Sequence, residues 1–324
     1  MRILFRAAAG PRLGFGHLMR CRSLARALAV PLVVSLRGSL ATRRAAQARG
    51  FDVWLGGISL LRGGARPDVL VVDDPSALQA ERWVLRARER GIPVVTLHDL
   101  GLGYADSDLP IDGSVEPGRY AADALSGPMY AVLDPSIAVA RDAGAAERQG
   151  VLIALGGGGH VHRWGLQVAA AVLEHHPSTR VRIVQGFSHP AAPSPDPRTE
   201  WVSAPDGLAA LLHEAAVAVV AGGLTLYEAA ALGTPVVALS VVAAQQPTVR
   251  GFARRGAAVD AGLVTDALAA RHAAAAVADL LTHPTRATRL GGTAAHLVDG
   301  RGVFRAADAI RRLAGRSEDH SNAA

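Results

Sequence analysis

A histidine directly after a glycine-rich turn is the first residue of the chain that could do chemistry. The stretch GFGHLMRC, residues 14–21, places Gly14 and Gly16 ahead of His17 and a helix-like segment. Glycine lets the backbone come close to a bound group, and a neutral imidazole can accept a proton from water. A structural interpretation is also open, in which His17 caps the backbone N–H groups at the start of the helix.

A second candidate site follows an apolar run in the second half of the chain. The stretch VVAGGLTLYEAAALGTPVVALS begins at Val219, and its first run ends at Gly222 and Gly223. Thr225 is placed to cap a helix that starts near the following leucine, so free N–H groups would face a phosphate. Glu228, about one turn further, could accept hydrogen bonds from ribose hydroxyls. In the structural alternative, Glu228 is only an acidic residue in the first turn of the helix.

Amide side chains follow the next strand-like run, PVVALS, in the segment AAQQPTV. The carboxyl ends of parallel strands lie at one edge of a sheet, so these amides should approach the glycine turn. The ordered set predicts a nucleotide-diphosphate site formed by Gly222, Gly223, Leu224, Thr225, Glu228, Gln245 and Gln246.

A run of four glycines, Gly156 to Gly159, follows the first strand-like run of the second half. Such a run can present backbone N–H groups to an anion, and we assign Gly156 and Gly157 to substrate binding. His160 and His162 follow, but no carboxylate or thiolate stands near them in the sequence. They are therefore interpreted as loop histidines, and neither a metal nor another cofactor is expected.

The elements that must hold these loops alternate between short apolar runs and helix-like segments. Apolar runs of this kind are typical of strands buried on both faces, and the helices between them require parallel crossovers. The pattern restarts after the polar segment Arg141 to Gly150. This predicts two doubly wound α/β domains of Rossmann-like type, residues 1–145 and 146–324, facing a central cleft. The strand-like runs are RILF, PLVVSL, FDVWL, DVLVVD and IPVVTL in the first half, and VLIAL, RVRIV, TEWVSA, AVAVVA and PVVALS in the second.

Composition limits the classes of partner. The formal net charge is +6 at pH 7, but all 34 basic residues are arginine, and they are scattered beside glutamates without interleaved aromatic residues. A solvated basic surface explains this better than a nucleic-acid partner. The single cysteine, Cys21, fits a reducing compartment, and no apolar run is long enough to span a bilayer. We expect a cytoplasmic monomer that binds a small molecule and is not inserted in a membrane.

Two motifs, GFGHLMRCRSLA and AGGLTLYEAAALGTPVVALS followed by QQ, resemble the UDP-sugar hydrolase of the pseudaminic acid pathway. That family is similar to the cell-wall N-acetylglucosaminyltransferase that makes lipid II, and the resemblance implies GT-B architecture. It also implies that His17 is the general base that activates water at the anomeric carbon, without a metal. Nucleotide binding would fall to Gly223, Thr225 and Glu228, with Gln246 near the diphosphate or sugar. The resemblance extends to VLVVDD, and the predicted substrate site includes Arg20 and Asp73.

The chain departs from the family pattern at positions that face the sugar in the family: Ala8, Pro75, His160 and Gln245. Three functions therefore stay open. The first is hydrolysis of a UDP-linked deoxyamino sugar to UDP and free sugar. The alternative is a GT-B glycosyltransferase that passes the sugar to an acceptor, and a further alternative is a protein that binds the sugar nucleotide without turnover.

Overall fold

The structure is a computed structural model of the chain. It describes residues 1–10, 13–48, 50–57, 66–100, 102, 104–120, 124–144, 147–158, 160–186 and 196–321. Residue contacts divide the chain into two units. Unit one contains Met1–Pro135 and Arg301–Ala324, and unit two contains Ser136–Gly300.

Unit one is built on a seven-stranded parallel sheet with strand order β3-β2-β1-β4-β5-β6-β7. Every residue of its central strand β1 is buried, as expected for a strand covered by helices on both faces. The strands are β1 Ile3–Ala8, β2 Val34–Arg37, β3 Val53–Trp54, β4 Val69–Asp73, β5 Val94–His98, β6 Leu109–Asp112 and β7 Leu125–Ser126.

The helices of unit one bury apolar stripes against this sheet. In the first helix, Leu18, Cys21 and Leu24 are fully buried in the core with Phe5 of β1. The helices are α1 Gly16–Leu28, α2 Leu40–Gln47, α3 Ala77–Arg88 and α11 Gly302–Ser321, and a 3-10 turn covers Pro128–Tyr130.

The last helix, α11, differs from its predicted assignment to the second domain. Val303 and Ile310 are fully buried in the core that contains β1 and α1. Arg311 also donates a hydrogen bond from Nη2 to the carbonyl oxygen of Ala27, 2.9 Å away. This helix groups with unit one because the partners of its apolar stripe lie there, which separation along the chain does not reveal.

Unit two repeats the same design on a six-stranded parallel sheet of order β10-β9-β8-β11-β12-β13. The strands are β8 Gln149–Ala154, β9 Val181–Val184, β10 Thr199–Val202, β11 Ala215–Ala221, β12 Val236–Ser240 and β13 Val259–Leu263. The helices are α5 His160–His175, α6 Ala209–Glu214, α7 Leu224–Ala231, α8 Gln246–Arg254, α9 Ala269–Thr282 and α10 Pro284–Leu297, while α4, Pro135–Asp142, begins at the last residue of unit one.

The predicted fold class of two doubly wound parallel sheets is confirmed. In each unit the strand order reverses beside the first strand, β1 or β8, and ligands of such sheets bind outside the carboxyl ends of the strands at this switch point. Within the described residues, no helix is long and apolar enough to cross a bilayer.

Candidate functional site

The predicted histidine lies at the switch point of unit one. His17 is the second residue of α1, whose N-cap is Phe15 and has no side-chain capping bond. The preceding loop is closed by a short bridge between Gly10 and Gly14, and Gly14 has a φ of 69°, where a side chain would be strained. Instead of capping the helix, the His17 ring lies with Nδ1 2.8 Å from Oδ1 of Asp73.

Asp73 ends β4, the strand next to β1, and its carboxylate is completely buried. Arg20, one turn after His17 on α1, donates to it from Nε at 2.9 Å and from Nη2 at 2.5 Å. The same guanidinium donates from Nη1 to Oδ1 of Asp99, just after β5. Because β1, β4 and β5 are neighbours in the sheet, their carboxyl ends bring these four side chains together.

The arrangement defines which nitrogen of His17 carries the proton. A carboxylate can only accept, so Nδ1 donates to Asp73 and the lone pair is left on Nε2. Nη2 of Arg20 also lies 2.9 Å from Nδ1, because both atoms donate to the same carboxylate oxygen. The imidazole side chain is 14% exposed and that of Asp73 only 1%, so the ring and not the carboxylate can meet a solvent molecule.

The charge of Asp73 is maintained by its neighbours. Burial by itself would raise the pKa of this carboxyl, but the Arg20 guanidinium and then His17 lower it to about 2. The carboxylates of Asp73 and Asp99 hold the pKa of the Arg20 guanidinium well above its ordinary value, although this side chain is completely buried. The pair therefore stays ionised at neutral pH, and Asp73 can act as a permanent acceptor for the imidazole.

The sequence assigned Arg20 and Asp73 to the substrate site, and the structure brings both to His17. Their polar atoms face each other, and Arg20 is only 6% exposed. Asp99 belongs to this cluster but was absent from the predicted site. Its signal in the sequence was an acidic residue two positions after the strand-like run IPVVTL, in the tripeptide HDL.

In unit two the glycine turn after β11 leads directly into α7. The helix begins at Leu224 with Gly223 as N-cap, so the expected capping role of Thr225 is wrong. Thr225 is the second helical residue, and its backbone N–H is one of those that an α-helix leaves without an intrahelical acceptor. A Cβ on Gly222 would lie 2.6 Å from Cγ2 of Val249 and 3.0 Å from Cβ of Gln245. Only glycine lets the turn pass this close to the loop after β12.

Gln245 lies against the same turn with a fixed amide. Its Oε1 accepts a hydrogen bond from the N–H of Val241 at 2.8 Å, so its Nε2 carries the remaining donors. This nitrogen lies 3.7 Å from the position of a Cβ on Gly223, the N-cap of α7. Gln246 is the first residue of α8. The amide donor of Gln245 and the start of α7 are therefore adjacent.

The structure also places the remaining predicted residues of unit two. Glu228 is half-buried within α7, after its first turn. Gly156 has a φ of 89° after β8, and a Cβ on Gly186 would lie 3.4 Å from the carbonyl oxygen of Gly157. Since β8, β11 and β12 are neighbours, the predicted glycine turns and Gln245 share one sheet edge. Gly159 lies outside the described residues.

No group of three histidine, cysteine, aspartate or glutamate side chains that could hold a metal ion occurs within the described part of the chain. The described groups are a carboxylate-oriented imidazole in unit one and, in unit two, the first N–H groups of α7 beside the amide of Gln245.

Comparison with known structures defines the fold. The chain has the GT-B fold, like MurG of Acinetobacter baumannii (14% identity, TM-score 0.62), over 96% of this chain and all of that one. The spinosyn rhamnosyltransferase SpnG, solved with thymidine diphosphate, matches at 20% identity and a TM-score of 0.64 over 97% of this chain and all of SpnG. UDP-GlcNAc 2-epimerase of Neisseria meningitidis, bound to UDP-GlcNAc, matches at 11% identity and a TM-score of 0.63, over 96% of this chain and all of that one.

In sequence, part of the chain is similar to the spore coat polysaccharide biosynthesis protein SpsG of Bacillus subtilis strain 168. The two are 31% identical over an alignment 148 residues long, which covers 42% of this chain and 43% of SpsG. The match thus spans less than half of either protein. No family model matches the chain.

Proposed function

We propose that the protein hydrolyses a UDP-linked deoxyamino sugar at its anomeric carbon. The observation that carries this proposal is the His17–Asp73 contact of 2.8 Å, which leaves the Nε2 lone pair of His17 to accept a proton. A diphosphate is a good leaving group, so the reaction needs a base for water and stabilisation of the departing anion. In this proposal His17 supplies the base, and the start of α7 with the Gln245 amide stabilises the anion, with no metal required.

The reaction follows from these two parts. A water molecule gives a proton to Nε2 of His17 as its oxygen attacks the anomeric carbon. The bond between this carbon and the diphosphate oxygen breaks, and the electron pair leaves on UDP. Asp73 stabilises the resulting imidazolium, while Arg20 keeps Asp73 ionised and oriented.

The nucleotide is assigned to unit two. The first N–H groups of α7 and the Nε2 donors of Gln245 favour the diphosphate, and Gly222 lets the backbone approach it. Glu228 accepts the ribose hydroxyls in this assignment. It is supported by the structural likeness to SpnG solved with thymidine diphosphate and to an epimerase solved with UDP-GlcNAc.

A glycosyltransferase is the second candidate. A carboxylate-oriented imidazole can take a proton from a sugar hydroxyl as well as from water. This alternative is favoured by the fold that the chain shares with SpnG, which is a rhamnosyltransferase. The two reactions differ in one requirement, because a transferase leaves the donor intact when only water is present.

The deciding experiment measures UDP release from a panel of UDP-linked deoxyamino sugars without any acceptor. The wild-type protein should release UDP, whereas His17→Asn should not, although its amide can still donate to Asp73. Release that occurs only after an acceptor is added would support the transferase, and binding without turnover under either condition would support a non-catalytic sugar-nucleotide binder.

The nucleotide assignment is tested separately by UDP affinity. Glu228→Ala should weaken UDP binding about 10-fold, as expected for the loss of charged hydrogen bonds to the ribose. His17→Asn should leave UDP affinity unchanged. If Glu228→Ala binds UDP like the wild type, the ribose assignment is wrong, whatever the outcome of the turnover assay.

A further inference from the structure

Three aromatic rings lie together at the carboxyl ends of β5 and β6, beside the His17 cluster. The ring centroid of His98 is 5.6 Å from that of Tyr104 and 5.5 Å from that of Tyr120, and the two tyrosine rings are 5.5 Å apart. These are contact distances for aromatic side chains. Neither the predicted site nor the proposed reaction uses this group, which we call the aromatic cluster.

The inner two rings of the aromatic cluster are fixed. His98 is 3% exposed, and its Nε2 lies 2.7 Å from Oγ1 of Thr96. Burial lowers the pKa of His98, so the ring is neutral at neutral pH. Tyr120 stacks on it at an interplanar angle of 28° and donates its hydroxyl to Oδ2 of Asp112 at 2.7 Å. These contacts hold both rings in place, so the pair forms a rigid surface.

Tyr104 is the outer ring of the aromatic cluster and packs against this pair. It is tilted by 41° to His98 and by 53° to Tyr120, and it remains 42% exposed. A half-exposed tyrosine held by two fixed rings presents a preorganised apolar surface with a hydroxyl at its edge.

A carboxylate stands next to the aromatic cluster. Asp99 follows His98 in the chain, its side chain is 51% exposed, and Oδ1 accepts a hydrogen bond from Nη1 of Arg20. Among the described residues, no partner reaches its second carboxylate oxygen with a hydrogen bond. Through Arg20 this carboxylate is connected to Asp73 and so to His17.

We propose that Tyr104 and Asp99 form the subsite for the sugar, a proposal that rests on the proposed function of the same site. The C–H face of the pyranose packs on the Tyr104 ring, whose face is electron-rich. A hydroxyl or amide N–H of the sugar donates to the second oxygen of Asp99. The class of ligand is a sugar with one apolar face and a neutral donor beside it. The same carboxylate that binds the sugar contacts the guanidinium that orients Asp73.

The test compares the affinity for UDP-N-acetylglucosamine with that for UDP alone, measured by calorimetry. Tyr104→Ala should lower the affinity for the sugar nucleotide about 10-fold, because it removes a whole aromatic contact, and should leave the affinity for UDP unchanged. Tyr104→Phe should bind both like the wild type. The matched control is Leu102→Ala, which truncates an exposed apolar side chain of the same loop and should change neither affinity.

Failure of this proposal can be separated from failure of the proposed function. If the sugar nucleotide loses no affinity in Tyr104→Ala, the sugar subsite is wrong although the nucleotide site stands. If the wild type binds neither compound, free N-acetylglucosamine is titrated while the tyrosine ring signals are followed by NMR. Shifts of the Tyr104 signals in the wild type would then support the subsite alone, and no shifts would overturn it.

Discussion

The substitution Asp73→Asn isolates the part of the site that orients the base. Asp73 accepts one hydrogen bond from His17 at 2.8 Å and two from Arg20, at 2.9 and 2.5 Å. Asparagine keeps a single acceptor oxygen and turns N–H groups towards the remaining donor. His17 Nδ1 and Arg20 Nη2 both donate to Oδ1, whereas Arg20 Nε donates to Oδ2, so the new NH₂ group faces either the first two donors or Nε. In either orientation the negative charge that keeps Nδ1 protonated is lost.

The expected effect on turnover is large. If His17 is the base, losing the carboxylate that selects its tautomer should lower kcat by about 100- to 10,000-fold. This corresponds to about 3–5 kcal/mol in the activation barrier. Stability should fall as well, because an arginine that is only 6% exposed is left with an incomplete set of acceptors. Breaking a buried ion pair on one side costs about 3–5 kcal/mol.

The chain offers a matched control in the next residue. Asp74 is 3% exposed and accepts two hydrogen bonds from Arg37, at 2.7 and 2.6 Å, but it does not contact His17. Asp74→Asn should therefore reduce stability while kcat stays within about 3-fold of the wild type. The assay measures UDP release at saturating substrate, and denaturant unfolding of each variant gives the folded fraction.

Two results would refute this reasoning. If Asp73→Asn keeps the wild-type kcat per folded molecule, the orientation of His17 does not depend on the carboxylate. If Asp74→Asn loses as much kcat as Asp73→Asn, the effect belongs to a general loosening of the sheet edge and not to the tautomer of the base.

Three further predictions concern other parts of the structure. Gly222→Ala should destabilise the protein by about 1–3 kcal/mol in thermal unfolding and weaken UDP binding, because its Cβ would lie 2.6 Å from Cγ2 of Val249. In the control Gly223→Ala, the Cβ would lie 3.7 Å from Nε2 of Gln245, and the loss of stability should be less than about 1 kcal/mol. The pKa of Asp73 is lowered to about 2, so the carboxylate stabilises the fold above about pH 4, and this contribution is lost as the pH falls to about 2. Between these pH values the unfolding free energy of the wild type should fall by about 2 kcal/mol more than that of Asp73→Asn. Hydrolysis in H₂¹⁸O should place the label in the sugar, and label in UDP would instead show attack at phosphorus.

Most strands were predictable because their signal is local. Runs such as DVLVVD and AVAVVA contain residues that favour buried strands, and they became β4 and β11. Strands β6, β7 and β13 were not predicted. Their sequences, LPID, LS and VDAGL, are short or contain proline, glycine or acidic residues, and pairing with a neighbouring strand makes them strands.

The site was predictable only where a motif carried it. The glycine turns and His17 were found from their spacing, and the structure puts them at carboxyl sheet edges. The start of α7 was placed two residues late, because Thr225 is a good N-cap type while Gly223 adopts the N-cap conformation. Asp99, which contacts Arg20, was not assigned to the site, because an acidic residue after a strand does not by itself reveal which side chain it meets.

The sequence by itself determined the fold class and which loops follow the carboxyl ends of the strands, because alternation of strands and helices is a property of neighbouring residues. Only the tertiary structure decided what His17 contacts. Asp73 is 56 residues from His17, and Asp99 is 79 residues from Arg20. Which carboxylates meet at one sheet edge depends on the order in which distant strands pair, and the crossover helices set that order. The return of α11 to unit one has the same cause, since the core that covers its apolar stripe is assembled from residues at the other end of the chain.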